Sequence, residues 1–307
     1  QRIARLLIDR LDPSQTPGER HATVERVRTE LTTGWQTAGN SRERLTVADE
    51  REHVLFFLVE VIYEVIPAFY EEIEVALARV FDAAPAELRV PEVLHFGSWV
   101  GGDMDGHPDV HAKTIRESCH RHHQLIVNRY FQEVQVLAEK LSQSESRVRV
   151  SPQLNSRIEA YRSMVSGARA SVPASHDRMP YRVFLGQVAE RLRATYEGRS
   201  GQYDRVGQLI DDLQLVEQSL AANRGRQAGM FHVHRTLRRI RTFGFHLATL
   251  DVRQHALMHR EIVGSALGDP GWLGRSALER AERLGRALAT DESPFEDLTP
   301  AGKRALW

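Results

Sequence analysis

The chain has 307 residues, room for one large domain or two small ones, and its 41% hydrophobic and 27% charged residues are ordinary for a soluble globular protein. Its 41 basic and 41 acidic residues cancel, so no global field favours nucleic acid or an anionic membrane as a partner. Only Lys113, Lys140 and Lys303 are lysines, leaving 38 arginines; this reads as the bias of a GC-rich genome and lowers the weight any single arginine carries. The lone cysteine, Cys119, excludes an intrachain disulfide and fits a reducing, cytoplasmic compartment. No initiator methionine, signal peptide or apolar run approaching membrane-spanning length is visible, and the expectation is an internal piece of a longer protein.

In chain order, Ile3, Leu6, Leu7 and Leu11 carry a helical rhythm through residues 2–11, which "DPSQTPGER" (12–20) should break. The period resumes over 22–35 with Val24, Val27, Leu31 and Trp35, followed by a polar loop, "QTAGNSRER". Thr46 is a candidate cap for a long helix to about Phe81, apolar on nearly every face in its middle, which Pro67 should kink or break. Residues 109–142 and 151–166 read as helices, 171–180 as a loop, and "YRVFLGQVAERLRATYEG" as an amphipathic helix stopped by Gly198. Two further helices, "YDRVGQLIDDLQLVEQSLAAN" and "MFHVHRTLRRIRTFG", follow, the second ended by Gly244. Residues 245–254, "FHLATLDVRQ", read as a strand, and 255–307 return to helix and loop. The fold class is therefore mostly α with a few short β-strands, each opening at its C-terminal end into a polar or glycine-rich loop, as barrel strands do at an active site.

"VLHFGSWVGGDMDGHPDVH" (93–111) is the most unusual stretch. A calcium loop of the EF-hand type needs glycine at its sixth position and an acidic ligand at its twelfth; counted from Asp103, the glycine comes fourth and the twelfth residue is Thr114. An aspartyl-nucleophile phosphatase would place its aspartate directly after the strand, whereas Gly101 and Gly102 intervene here. A turn accounts for more: Gly101, Gly102 and Gly106 permit positive φ, Asp103 and Asp105 can accept backbone N–H bonds, and Pro108 can start the next helix. The turn leaves Trp99 unexplained.

In "CHRHH" (119–123), His120 and His123 could share a helix face, but a zinc site needs further ligands that nothing at usable spacing supplies; a polar helix face with a partly buried Cys119 is the expectation. Arg253 stands at the end of the second strand, in "LDVRQ". A guanidinium fixed there can grip a phosphate or carboxylate through two bonds, which a lysine does less well.

"FGSWVGGDMDGHPDV" resembles the F-x-S-W-x-G-G-D-x-D-G-N-P signature of phosphoenolpyruvate carboxylases. "PYRVFLGQVAERL", "TFGFHLATLDVRQH" and the opening "QRIARLL" resemble further segments of that family in order and spacing, so the resemblance runs along essentially the whole chain. It implies a partial β/α (TIM-like) barrel with short parallel strands, residues 1–307 forming a single segment of the larger carboxylase domain. The implied reaction joins phosphoenolpyruvate to bicarbonate, giving oxaloacetate and phosphate through carboxyphosphate and an enolate. Mg²⁺ or Mn²⁺ is the family's cofactor, with ligands outside this chain. The implied partners are these substrates, the remainder of the polypeptide and further copies in a homo-oligomer, a tetramer in the family.

Carried over by motif, Arg253 is the catalytic candidate and would contact the phosphate or the bicarbonate-derived group. Trp99 would form part of an apolar wall, Gly101 and Gly102 would shape the substrate-binding loop, and Ser98, Asp103 and Asp105 would support it. The chain departs from the family where Met104 replaces a common arginine, His107 an asparagine and His255 a glutamate, and where "QTAGNSRER" replaces R-T-D-E-x-R. Binding of an activator or substrate anion could differ accordingly. The family's T-A-H-P-T histidine motif and metal carboxylates do not occur here, so the isolated chain is expected to be inactive. The alternative is a non-catalytic helical scaffold or regulatory relative of the same fold.

Overall fold

The computed structural model describes residues 2–37, 45–82, 90–105, 107–165 and 178–290. Gly106 and most of the expected loops at 36–44 and 171–180 lie outside these residues, as does everything after 290. The chain divides into two compact units, Gln1–Thr46 and Val47–Trp307.

The first unit is a helical hairpin of α1 (Arg2–Asp9) and α2 (Pro17–Gln36). The break expected over 12–20 is shorter than the composition suggests, because α2 starts at Pro17. Thr16 caps it: the Glu19 N–H donates to Thr16 Oγ1 at 3.3 Å, and the Glu19 carboxylate accepts from the Thr16 N–H at 2.8 Å. This reciprocal box, with proline in the first helical turn, is a start signal that outweighs the loop-like composition around it.

The second unit opens with α3 (Val47–Phe56), a wider π-turn (Phe57–Ile62) and α4 (Tyr63–Phe81). Together they are long and apolar enough by composition to cross a bilayer, contrary to the expectation that no such segment exists. However, Tyr63, Ile66, Pro67 and Tyr70 face the protein core, and Glu64, Glu71 and Glu74 pair with arginines of another helix. Pro67 does not end the helix. It cannot donate to the carbonyl of Tyr63, its regular partner four residues back, and Arg239 Nε donates to that carbonyl instead at 3.0 Å. The departure from α geometry lies one turn upstream, where the Tyr63 N–H reaches back five residues to Leu58.

After β1 (Gly97–Ser98) come α5 (Ala112–Lys140), α6 (Pro152–Met164), α7 (Pro180–Glu197), α8 (Val206–Ala222) and α9 (Met230–Phe243). β2 (Thr249–Leu250), α10 (Ala256–Ala266), a short 3₁₀ turn (Trp272–Gly274) and α11 (Ala277–Ala289) follow. Gly198 and Gly244 end α7 and α9 as expected, both at positive φ. α5 and α7 pack along much of their length. Ile126, Tyr130, Val134 and Leu137 from α5, and Phe184, Leu185, Val188 and Leu192 from α7, form the centre of one core. Full burial of each such side chain contributes about 1.5–3 kcal/mol.

β1 and β2 pair in parallel, Gly97 opposite Thr249 and Ser98 opposite Leu250. The second strand is much shorter than the 245–254 expected. Residues 244–248 form a turn in which Leu247 takes φ of +61° and its N–H returns to the Phe243 carbonyl. β-branched and apolar content does not reveal a left-handed leucine.

A charged cluster fastens the helices beneath. The carboxylate of Asp212, fully buried on α8, accepts from the hydroxyls of Tyr161 and Tyr203 and from Arg157 Nη1 at 2.6 Å, with Arg191 Nη1 3.7 Å away. Burial pushes its pKa up, while the tyrosines and arginines oppose that shift. Asp212→Ala should therefore lower the unfolding free energy by about 3–5 kcal/mol, since it strands buried donors without an acceptor. Urea titration of the chain measures this, and a loss under about 1 kcal/mol would make the cluster energetically idle.

Candidate active site

The two strands end on one side in a small constellation built around the turn Trp99–Gly102. The Trp99 carbonyl accepts the N–H groups of Gly102 at 2.9 Å and Asp103 at 3.1 Å, folding the chain back after β1. Buried Ser98 helps by accepting the Val100 N–H on its hydroxyl. The parallel ladder then resumes, Asp103 bridging Arg253. The Arg253 N–H donates to the Gly102 carbonyl at 3.1 Å and the Met104 N–H to the Arg253 carbonyl at 2.8 Å.

Both glycines of the turn are needed, for different reasons. Gly101 has φ of +84°, and a Cβ there would lie 2.2 Å from Ser118 Oγ on α5. A Cβ on Gly102 would lie 2.3 Å from the Asp251 carbonyl oxygen and 3.0 Å from Leu250 Cγ. The first collision is with a rotatable hydroxyl, the second with the backbone of the residue that follows β2.

The structure brings the expected residues together. Arg253 Nη1 lies 3.4 Å from Asp103 Oδ2, and Nη2 lies 4.0 Å from Asp105 Oδ2. Both are longer than a strong charge-assisted hydrogen bond, so the aspartates orient the guanidinium without consuming its donors. Asp103 Oδ1 also accepts the Asp105 N–H at 3.0 Å. The Arg253 side chain is 63% exposed, and Trp99 beside the turn is 65% exposed. Val252, Leu257 and Met258, close to Arg253 in sequence, are exposed as well. The result is an exposed cation held beside two carboxylates, with donors left to bind an anion.

Among the described residues no three His, Cys, Asp or Glu side chains converge to hold a metal. Asp103 and Asp105 are committed to Arg253 and to the loop backbone, so these residues do not fit a metal centre. His120 and Cys119 are both exposed. The cysteine is thus not partly buried as expected, because it lies on the solvent side of α5.

Three other α5 residues hold the turn before β2; the sequence reading passed over His122 and Tyr130 and weighed His123 only as half of a metal pair. His122 is 2% exposed and its Nδ1 faces the Ala248 carbonyl at 3.3 Å; His123 Nδ1 faces the Phe245 carbonyl at 3.0 Å; Tyr130 donates to the Gly244 carbonyl at 2.8 Å. Burial lowers the pKa of His122, against the hydrogen bond to Ala248 and reinforced by Arg51. Thr114, Ser118, His122, Ile126 and Tyr130, all buried, stand four residues apart on one face, and that spacing is the sequence signal that could have found the ridge.

Two departures from the family pattern have local explanations. His107 Nδ1 accepts the Asp109 N–H at 3.3 Å, a bond an asparagine oxygen could also accept. His255 caps α10, its Nδ1 accepting the Leu257 N–H at 3.3 Å. Met104 lies half-buried with its sulfur 3.9 Å from Gln254 Nε2.

A family model described as phosphoenolpyruvate carboxylase matches residues 1–294. The chain is 46% identical over 279 residues to a phosphoenolpyruvate carboxylase of Xanthomonas oryzae pv. oryzae, covering 91% of this chain and 30% of that protein. It is 44% identical over 300 residues to that of Xanthomonas euvesicatoria pv. vesicatoria, covering 98% of the chain and 33% of the relative. With the enzyme of Nitrosomonas europaea it shares 34% identity over 330 residues, covering 99% and 34%. The chain thus spans about a third of the length of the curated relatives it matches.

Gly102→Ala should separate the turn from β2 and destabilise the chain by at least about 2 kcal/mol, through backbone overlap. Gly101→Ala combined with Ser118→Ala should cost less, because the positive φ and a 3.3 Å approach to the Cβ of residue 118 are then the only strains left. Equal losses in urea titration would refute the distinction between the two glycines.

Proposed function

The chain belongs to the phosphoenolpyruvate carboxylase family, and from that premise we propose that it is a segment of an enzyme that joins phosphoenolpyruvate to bicarbonate, giving oxaloacetate and phosphate. The observation that carries the reading is Arg253: a guanidinium at the end of a parallel strand, locked through its backbone to Gly102 and Met104 and flanked by Asp103 and Asp105.

In this reading Arg253 grips the phosphate or the bicarbonate-derived group with two donors, and its fixed charge stabilises the negative charge that develops on the transferring phosphoryl group. Trp99 forms part of the apolar wall that keeps water from the enolate, whose protonation would give pyruvate. Gly101 and Gly102 shape the loop against substrate, while Ser98, Asp103 and Asp105 brace it. The divalent metal, Mg²⁺ or Mn²⁺, would be held by residues beyond these 307.

β1 and β2 would be early strands of a β/α barrel, and residues 1–307 a single segment of the larger catalytic domain. Phe57 on the π-turn and Val65, Phe69 and Val80 on α4 are exposed, which fits a face covered by the remainder of the polypeptide. A cytoplasmic homo-oligomer acting on small anions, without nucleic acid or membrane, completes the proposal.

In the intact protein, Arg253→Lys should cut kcat/KM for phosphoenolpyruvate by about 100-fold with an unchanged thermal midpoint, because one ammonium cannot replace a two-pronged contact. Turnover at the wild-type level would remove Arg253 from the site. The purified 307-residue chain should form no oxaloacetate when supplied with substrates and Mg²⁺; a steady coupled-assay signal would contradict the proposed need for residues outside it.

A further inference from the structure

The turn that delivers β2 is an unfavourable piece of backbone. Leu247 holds φ of +61° without being glycine, a conformation that persists only where its surroundings impose it. Ala248, the next residue, is buried, and its carbonyl faces the ring of His122. A carbonyl can only accept, so the Nδ1 nitrogen carries the proton and donates. One helical turn earlier on the same face of α5, Ser118 stands against Gly101 at the opposite lip. Adjacent turns of one helix therefore set the height of both strand ends: Ser118 that of the loop after β1, His122 that of the start of β2.

We infer that His122 is a positioning residue for Arg253: by donating to the Ala248 carbonyl it fixes the turn that feeds β2, and so the place where the guanidinium leaves the strand. This rests on the reading of Arg253 as a substrate-binding group. His123 and Tyr130 hold Phe245 and Gly244 farther back in the same turn, whereas His122 holds the residue next to the strand itself. Arg253 follows Ala248 by five residues along an extended chain whose backbone is bonded to Phe96, Ser98 and Gly102. A displaced turn is thus passed along the ladder to Arg253, and a misplacement of about 1 Å at a reacting site costs on the order of 100-fold in rate.

The test compares His122→Leu, His122→Asn, His122→Gln and Arg253→Lys in the intact protein, reading kcat, KM for phosphoenolpyruvate and the thermal midpoint. An asparagine amide nitrogen occupies the place of Nδ1 and keeps the donor; a glutamine nitrogen falls nearer the place of Nε2; leucine has none. His122→Leu and His122→Asn should lose similar thermal stability, since both remove the ring. The kcat/KM of His122→Asn should stay within about threefold of wild type, while that of His122→Leu falls about 30-fold, mainly through KM. Should the leucine variant fail to fold, His122→Gln carries the comparison and should be impaired relative to His122→Asn. Equal impairment of the variants with and without a correctly placed donor overturns the inference, as does wild-type kcat/KM in His122→Leu beside an impaired Arg253→Lys. Wild-type kcat/KM in Arg253→Lys overturns the reading of the site, and this inference with it.

Discussion

The loop after β1 lies against β2 at a separation that no side chain could occupy, since a Cβ on Gly102 would come within 2.3 Å of the Asp251 carbonyl. That approach lets the Arg253 N–H reach the Gly102 carbonyl and restarts the parallel ladder at Asp103. It also brings two carboxylates, Asp103 and Asp105, beside the distant guanidinium of Arg253. With both strands only two residues long, their own pairing contributes little. Register has to come from outside the sheet, and α5 supplies it through side chains that hold both lips. The site is better described as two loops pinned to one helix than as the mouth of a rigid sheet.

The arginine-rich composition, which argued against reading much into any single arginine, has a structural outcome. On α9, Arg235 makes a two-pronged contact with Glu71, Arg238 bonds Glu74 and the Val90 carbonyl, and Arg239 engages Glu64 and Glu133. These pairs fasten α9 to α4 and α5 through planar forks that serve several acceptors at once. Arg253 differs from these three in its exposure and in the length of its contacts.

The long helices were legible from periodicity, and Gly198 and Gly244 were legible as terminators because a left-handed terminus selects for glycine. The start of α2 was written in Thr16 and Glu19, but the surrounding proline and glycine masked it. The length of β2 was not legible: the left-handed Leu247 is imposed by tertiary contacts, and nothing in "FHLATLDVRQ" marks it. Arg253 could be singled out by its strand-end position, yet its partnership with Asp103 depends on a long crossover that local pattern cannot foresee. The histidine ridge was misread for a related reason. His120 and His123 were weighed as a metal pair by spacing, whereas the buried member is His122, which bonds backbone far away in sequence.

Pro67 and Arg239 share a dependence that neither residue shows alone. The proline leaves the Tyr63 carbonyl without its regular in-helix donor, and one guanidinium supplies that donor while also engaging Glu64 and Glu133. An alanine at 67 would return a backbone donor to the helix and make part of the arginine's role redundant. A lysine at 239 has one nitrogen for three acceptors that lie in different directions. The cost of losing the arginine's bond to the Tyr63 carbonyl is therefore conditional on the residue at 67, while its hold on Glu64 and Glu133 is not.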